Sequence, residues 1–152
     1  MKFLCLWGTI ACMLPAFNAD SQIAPPLNQH PVEKALLFNQ LPEKFSFPLA
    51  SLQNIFSAAV NSTISISPGA ALKIEGTVLA KVAVSTDQLS INIRCHNYQD
   101  ALLNISRIKQ ADGSFSYIGR MVSLRHGDVL LLWEDKGMYY FIREKQLLAM
   151  VE

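Results

Sequence analysis

Three residue types in this sequence have the chemistry for nucleophilic catalysis: a cysteine, histidines and aspartates. Cys95 is followed directly by His96, and a thiol next to an imidazole would form a nucleophile–base pair. Adjacent residues on a strand point to opposite faces, so the two side chains are predicted to diverge. Cys95 instead shares a face with the apolar residues Leu89, Ile91 and Ile93, which predicts a buried, inert cysteine.

A metal site is the second chemistry that these residue types suggest. His126-Gly127-Asp128 would present two ligands from one turn, and His96 would have to approach them in space. The same three residues would have to converge for a small hydrolase site. The sequence contains neither Cys-x-x-Cys nor His-Glu-x-x-His, and histidine and aspartate are common in hairpin turns. We therefore predict a turn at residues 126–128, with no metal and no cofactor.

Motifs of the common catalytic classes are also missing from the sequence. There is no Gly-x-Ser-x-Gly nucleophile elbow and no glycine-rich phosphate loop. Several acidic residues fall where turns are predicted, which solvation explains without a catalytic pair. The sequence therefore predicts a protein that is not an enzyme.

Aromatic residues are concentrated in the last third of the chain. Phe115 and Tyr117 precede Trp133, which is followed by Tyr139, Tyr140 and Phe141. Exposed aromatic side chains provide large contact areas, although aromatic residues also pair across strands inside sheets. Tyr139 and Tyr140 must point to opposite faces of one strand, so at least one aromatic residue is predicted to lie off the main core. We expect a binding surface that includes Trp133, Tyr139, Tyr140 and Tyr117.

The elements that position these residues are one helix followed by many strands. Apolar residues at helical spacing predict a helix over 47–60, with Ser46 as its cap and Pro48 in its first turn. From Thr63 onward the period changes to two, and residues 72–85 form the clearest strand. Gly76 is predicted to mark a bend or bulge within that strand. Asp112-Gly113 and Lys136-Gly137 are typical of hairpin turns.

This order predicts an α+β fold in which one N-terminal helix packs on an antiparallel β-meander of about six or seven strands. A small β-barrel is the alternative. The element order resembles that of cystatin-like inhibitors and peptidase propeptides, although the Gln-x-Val-x-Gly loop of the cystatins is not present. That resemblance implies a protease inhibitor or propeptide-like module, which would insert an exposed loop into an enzyme cleft; residues 94–100 are the segment we would expect to do so.

The first 19 residues have the pattern of a secretory signal. Lys2 precedes an apolar run over 3–14, and a less apolar segment ends at the small residue Ala19. The run is shorter than the roughly 20 residues of a membrane-spanning helix. A lipoprotein anchored at Cys12 is the alternative. We therefore expect a secreted or periplasmic protein without a membrane span.

The remaining sequence divides into a leader and one domain. Four prolines between residues 20 and 46 predict a leader or linker, and residues 47–152 are predicted to form a single α+β domain. Outside the predicted signal, twelve Lys and Arg residues balance twelve Asp and Glu residues, which argues against nucleic-acid binding. Cys95 is the one cysteine left, so no intramolecular disulfide can form.

Together these observations favour an exported, non-catalytic binding or accessory domain. Its expected ligand is a polypeptide, a glycan or a partner subunit, and a homodimer through the aromatic residues is the remaining alternative.

Overall fold

A computed structural model describes residues 34–69 and 72–145 of the chain. The predicted signal at 1–19, most of the predicted leader and residues 146–152 lie outside this part. The described residues form one helix and eight strands, which follow one another as β1 (Lys44–Ser46), α1 (Leu49–Ser57), β2 (Thr63–Gly69), β3 (Leu72–Ala83), β4 (Gln88–Cys95), β5 (Ala101–Lys109), β6 (Phe115–Val122), β7 (Asp128–Asp135) and β8 (Met138–Lys145). A single 3-10 turn, His96–Tyr98, links β4 to β5.

All eight strands belong to one antiparallel sheet in the order β1-β8-β7-β6-β5-β4-β3-β2. The sheet curls into a half-barrel, and within the described residues its two edges, β1 and β2, do not pair with each other. The prediction of a mostly antiparallel fold with one helix is therefore confirmed. The structure has one strand more than predicted, because β1 continues the sheet beyond β8.

The core lies on the inner face of this sheet. Successive side chains of a strand alternate between faces, and the buried apolar residues of β3 to β8 follow that period of two. The inner face of these strands carries Leu72, Ile74, Val78, Ile91, Ile93, Cys95, Leu103, Ile105, Tyr117, Met121, Leu130, Leu132, Tyr139 and Phe141. These residues form one cluster with the buried side of the helix.

Helix α1 closes the inner face with Leu52, Ile55 and Phe56. The Phe56 ring lies 5.8 Å from that of Tyr117 on β6. The helix is shorter than predicted: it begins after Pro48, which occupies the cap position, and no side chain caps it. Within the described ranges, no helix has the length and apolar character needed to cross a bilayer.

Residues 34–46 pack on the sheet, so the folded unit begins before the predicted boundary at residue 47. Phe38 is fully buried, and β1 pairs with β8 through Phe45 opposite Phe141. The Gly127 N–H donates to the Ala35 carbonyl oxygen at 3.0 Å. The predicted leader, residues 20–46, therefore ends in β1, which is an edge strand of the sheet.

Candidate functional site

The four aromatic residues predicted to form a binding surface lie on opposite faces of the sheet. Tyr117 and Tyr139 point into the core and are buried, whereas Trp133 and Tyr140 point to the outer face. The reason is the strand period: β7 and β8 pair Trp133 with Tyr140 and, one residue further, Glu134 with Tyr139. The structure therefore does not bring the four side chains together.

The inner pair is built as core. The rings of Tyr117 and Tyr139 meet edge to face with their centroids 5.6 Å apart, an arrangement that aromatic rings favour. The Tyr117 backbone N–H donates to the Tyr139 hydroxyl oxygen at 3.3 Å. Burial raises the pKa of both phenols, so both remain neutral at physiological pH.

The outer pair belongs to a larger apolar surface on β6, β7 and β8. Trp133 is 60% exposed and Ile118 is 53% exposed. They are neighbours across β6 and β7, because they lie one position beyond the paired residues Gly119 and Leu132. We use the name outer apolar face for the set Ile118, Leu131, Trp133, Met138, Tyr140 and Ile142.

Three further contacts fix the geometry of the outer apolar face. Leu131 is paired with Ile142, which adds a second apolar row beside Trp133 and Tyr140. The Lys44 ammonium lies 4.1 Å from the centre of the Tyr140 ring, a cation–π distance, and the Tyr140 hydroxyl contacts the Met138 sulfur at 3.5 Å. The Tyr140 ring is thus held in place by its neighbours, while Trp133 stays open to solvent.

The outer surface of β4 and β5 is chemically different from the outer apolar face. There the Ser90 and Ser106 hydroxyls are 2.5 Å apart, and the Asn104 amide donates to the Asn92 side-chain oxygen at 2.7 Å. The middle of the outer surface over β4 and β5 is therefore polar, although Leu102 at one end of β5 is exposed, whereas apolar side chains adjoin one another over β6 to β8. Apolar residues that are gathered on one part of a sheet's solvent side are typical of interaction surfaces.

Cys95 and His96 diverge, as predicted. Cys95 is fully buried on the inner face, and His96 is exposed at the start of the 3-10 turn. The His96 Nε2 atom lies 2.9 Å from the Thr77 hydroxyl, and its Nδ1 atom lies 3.5 Å from a carboxylate oxygen of Asp100. Burial raises the pKa of the Cys95 thiol to about 12. The thiol is therefore protonated at neutral pH and is not activated by its neighbour.

We expect Cys95 to resist thiol reagents in the folded protein. With a pKa of about 12, only about one thiol in ten thousand is ionised at pH 8, and the thiolate is the reactive form. Reaction with a disulfide reagent should be at least about 100-fold slower than at an introduced Ala111→Cys, which lies in an exposed hairpin. Peptide mapping distinguishes Cys95 from Cys5 and Cys12. Comparable rates at Cys95 and at the introduced cysteine would contradict a buried thiol.

The three residues considered as candidates for a metal or hydrolase site, His96, His126 and Asp128, occupy separate environments. His126 is buried with its Nδ1 atom 2.8 Å from the Ser123 hydroxyl. Asp128 is buried and accepts hydrogen bonds from the backbone N–H groups of Leu37 and Phe38, each at 2.7 Å. His96 is on the surface of a different turn. Residues 34–69 and 72–145 contain no group of three potential metal ligands.

The segment proposed for protease inhibition is attached to the neighbouring strand. The Asn97 side chain accepts from the Glu75 N–H at 3.0 Å and also donates to the Lys73 carbonyl oxygen. Gln99 and Asp100 both have left-handed backbone conformations, with φ of 48° and 59°. The segment is therefore a tight turn fastened to β3 rather than a projecting loop.

No protein-family model, curated protein or solved structure matches the chain.

The binding surface predicted from the sequence did not include Ile118 and Met138, two of the most exposed members of the outer apolar face. Ile118 and Met138 are 53% and 56% exposed. A signal for both is present in the sequence: each alternates with a buried tyrosine, Tyr117 and Tyr139, so each must lie on the opposite face of its strand.

Proposed function

We propose that the protein is an exported, non-catalytic domain that binds a partner protein through the outer apolar face. One observation carries the proposal: Trp133, Ile118 and Met138 are all more than half exposed on the solvent side of three adjacent strands. Side chains of this kind cost free energy when they remain in water, and tryptophan and tyrosine dominate binding energy at protein interfaces. Export rests on the predicted signal at residues 1–19.

The surroundings of Trp133 favour a protein over a glycan as the partner. Two rows of aliphatic and aromatic side chains form the surface, while the charged residues Lys44, Arg120 and Asp135 lie around it. An apolar centre with a charged rim is the usual composition of a protein interface. The hydroxyl and amide side chains of Ser90, Ser106, Asn92 and Asn104 lie instead on β4 and β5, where they bond to one another.

Site-specific photo-crosslinking in the producing cell tests the proposal. A photoreactive amino acid would replace Ile118 or Met138 on the outer apolar face, or Val84 in the exposed turn after β3 as the matched control. We expect a covalent adduct with the same second protein from positions 118 and 138 but not from 84. Equal labelling at all three positions, or none at 118 and 138, would refute the proposed face.

Fluorescence of Trp133 provides a quantitative second measurement. In a Trp7→Phe background Trp133 is the one tryptophan of the chain, and its 60% exposure predicts red-shifted emission that iodide quenches. Binding of the purified crosslinked partner should shift the emission to the blue and protect it from iodide. Ile118→Ser should weaken that binding at least about tenfold, whereas Arg94→Ala, on the polar part of the same face, should not.

A further inference from the structure

The second feature of the sheet that suggests an interaction is its β2 edge. Among the described residues β2 pairs with β3 alone, so its other side carries backbone groups without a strand partner. The opposite edge is protected: β1 has three residues and includes Lys44. Short length and lysine are the usual means by which proteins prevent an edge strand from pairing with another chain.

The hydrogen-bond register identifies the free backbone groups of β2. The Val78 N–H donates to the Ser62 carbonyl oxygen at 3.0 Å, and Ile64 and Ile66 lie opposite Gly76 and Ile74. In an antiparallel pair, alternate residues direct both of their backbone groups to the partner strand. Ile64 and Ile66 therefore face β3, and Ser65 directs its N–H and carbonyl groups away from the sheet.

None of the usual protective features occurs in the first five residues of β2. Residues 63–67 read Thr-Ile-Ser-Ile-Ser and contain no charge, proline or glycine. The side chains of Thr63, Ser65 and Ser67 are exposed, while those of Ile64 and Ile66 are buried on the inner face. An uncharged strand of this kind is a template for adding another strand.

The pattern of these five residues indicates which strand would be added. It reads alike in both directions from Ser65, with an isoleucine on each side and a hydroxyl residue beyond it. Two copies paired antiparallel about Ser65 would place Ile64 opposite Ile66 of the other copy and Thr63 opposite Ser67. Every residue then meets one of its own kind, no like charges oppose each other, and the two Ser65 residues exchange both hydrogen bonds.

We propose that the protein forms a two-fold symmetric dimer in which β2 pairs antiparallel with β2 of a second copy, centred on Ser65. The pairing joins the two sheets into one and ends at two copies, because each chain's other edge is short and charged. The β2 edge lies at the other end of the strand order from β6–β8. The dimer is therefore independent of the proposed partner-binding face.

Charge substitution at Ser65 tests the register directly, using the full chain. The wild type should sediment as a dimer, and Ser65→Lys or Ser65→Glu should each raise the dimer dissociation constant at least about tenfold, because like charges would face each other at the two-fold axis. Mixing the two variants should restore a heterodimer through a Lys–Glu pair. Ala111→Lys, which adds the same charge to an exposed hairpin, should leave the dimer intact.

A disulfide test covers the case in which the charged variants fold poorly. Residues paired across a two-fold axis with both hydrogen bonds have Cα atoms about 5.5 Å apart, within the range of a disulfide. Oxidised Ser65→Cys should therefore form a covalent dimer, and Ala111→Cys should not. A monomeric wild type up to its solubility limit would overturn the proposal. A dimer that Trp133→Ser dissociates and the Ser65 variants leave intact would overturn it too, and would assign self-association to the outer apolar face.

Discussion

Replacing Asp128 with alanine is expected to lower the free energy of unfolding by about 3 kcal/mol. The Asp128 carboxylate is buried, and its two oxygens accept the backbone N–H groups of Leu37 and Phe38. Alanine would leave both donors without an acceptor at the site, and each buried unsatisfied donor costs about 1–3 kcal/mol. The loss also weakens the attachment of residues 34–46, whose Phe38 side chain is fully buried.

Urea denaturation of three variants measures this contribution. Asp128→Asn keeps one acceptor oxygen, so its free energy of unfolding should lie between those of the wild type and Asp128→Ala. Asp135→Ala removes an exposed carboxylate at the other end of the same strand and should change stability by less than about 0.5 kcal/mol. Limited proteolysis should cut Asp128→Ala first within residues 34–43. If Asp128→Ala is as stable as Asp135→Ala, the carboxylate does not hold this segment.

The hydrogen bonds of Asp128 are a feature that the sequence did not predict. The sequence predicts a turn over residues 126–128, but the turn between β6 and β7 ends at Gly127, and Asp128 is the first residue of β7. Its hydrogen-bond partners are about 90 residues earlier in the chain, and they are backbone groups, which have no sequence signature. A local pattern therefore predicts the position of the residue in the fold but not the long-range contact that it makes.

Strands with a clear period of two were predicted well because the period reflects burial on one face. Of the four residues expected to face the core from β4, Ile91, Ile93 and Cys95 are buried, and Leu89 is partly buried against the same cluster. The hairpin at Lys136-Gly137 also forms as predicted, with φ of 51° at Lys136 and of 77° at Gly137, the latter a value that glycine adopts without strain. Strand β1 was not predicted, since three residues are too few to establish a period.

Periodicity predicted that neighbouring aromatic residues lie on opposite faces, but not which face is covered. Tyr139 and Tyr140 were expected to point in opposite directions, and they do. Which of the two faces is covered depends on the side of the sheet against which α1 packs, a tertiary contact that periodicity alone does not determine. Since α1 lies on the face of Tyr117, the face that contains Trp133 remains exposed to solvent.

The role of Gly76 differs from the predicted bend or bulge. The pairing is continuous at this residue, which lies opposite Ile64 on one side and Cys95 on the other, and the bulge between β3 and β4 falls between Val78 and Ala80. Gly76 is instead a point of close approach between strands. A Cβ atom there would collide with the Arg94 carbonyl oxygen and would lie 2.9 Å from the Ile93 side chain.

Gly76→Ala is therefore expected to destabilise the protein by about 3 kcal/mol, because the obstructing atom belongs to the backbone of a paired strand and cannot rotate away. Gly113→Ala is the matched control: its φ is 85° but a Cβ atom there meets open space, so it should cost about 1 kcal/mol from backbone strain alone. Since Gly76 is paired with Cys95, separation of β3 from β4 should also increase the reactivity of the Cys95 thiol. Equal losses of stability in the two variants, with Cys95 still unreactive in both, would show that β3 and β4 accommodate a side chain at this position.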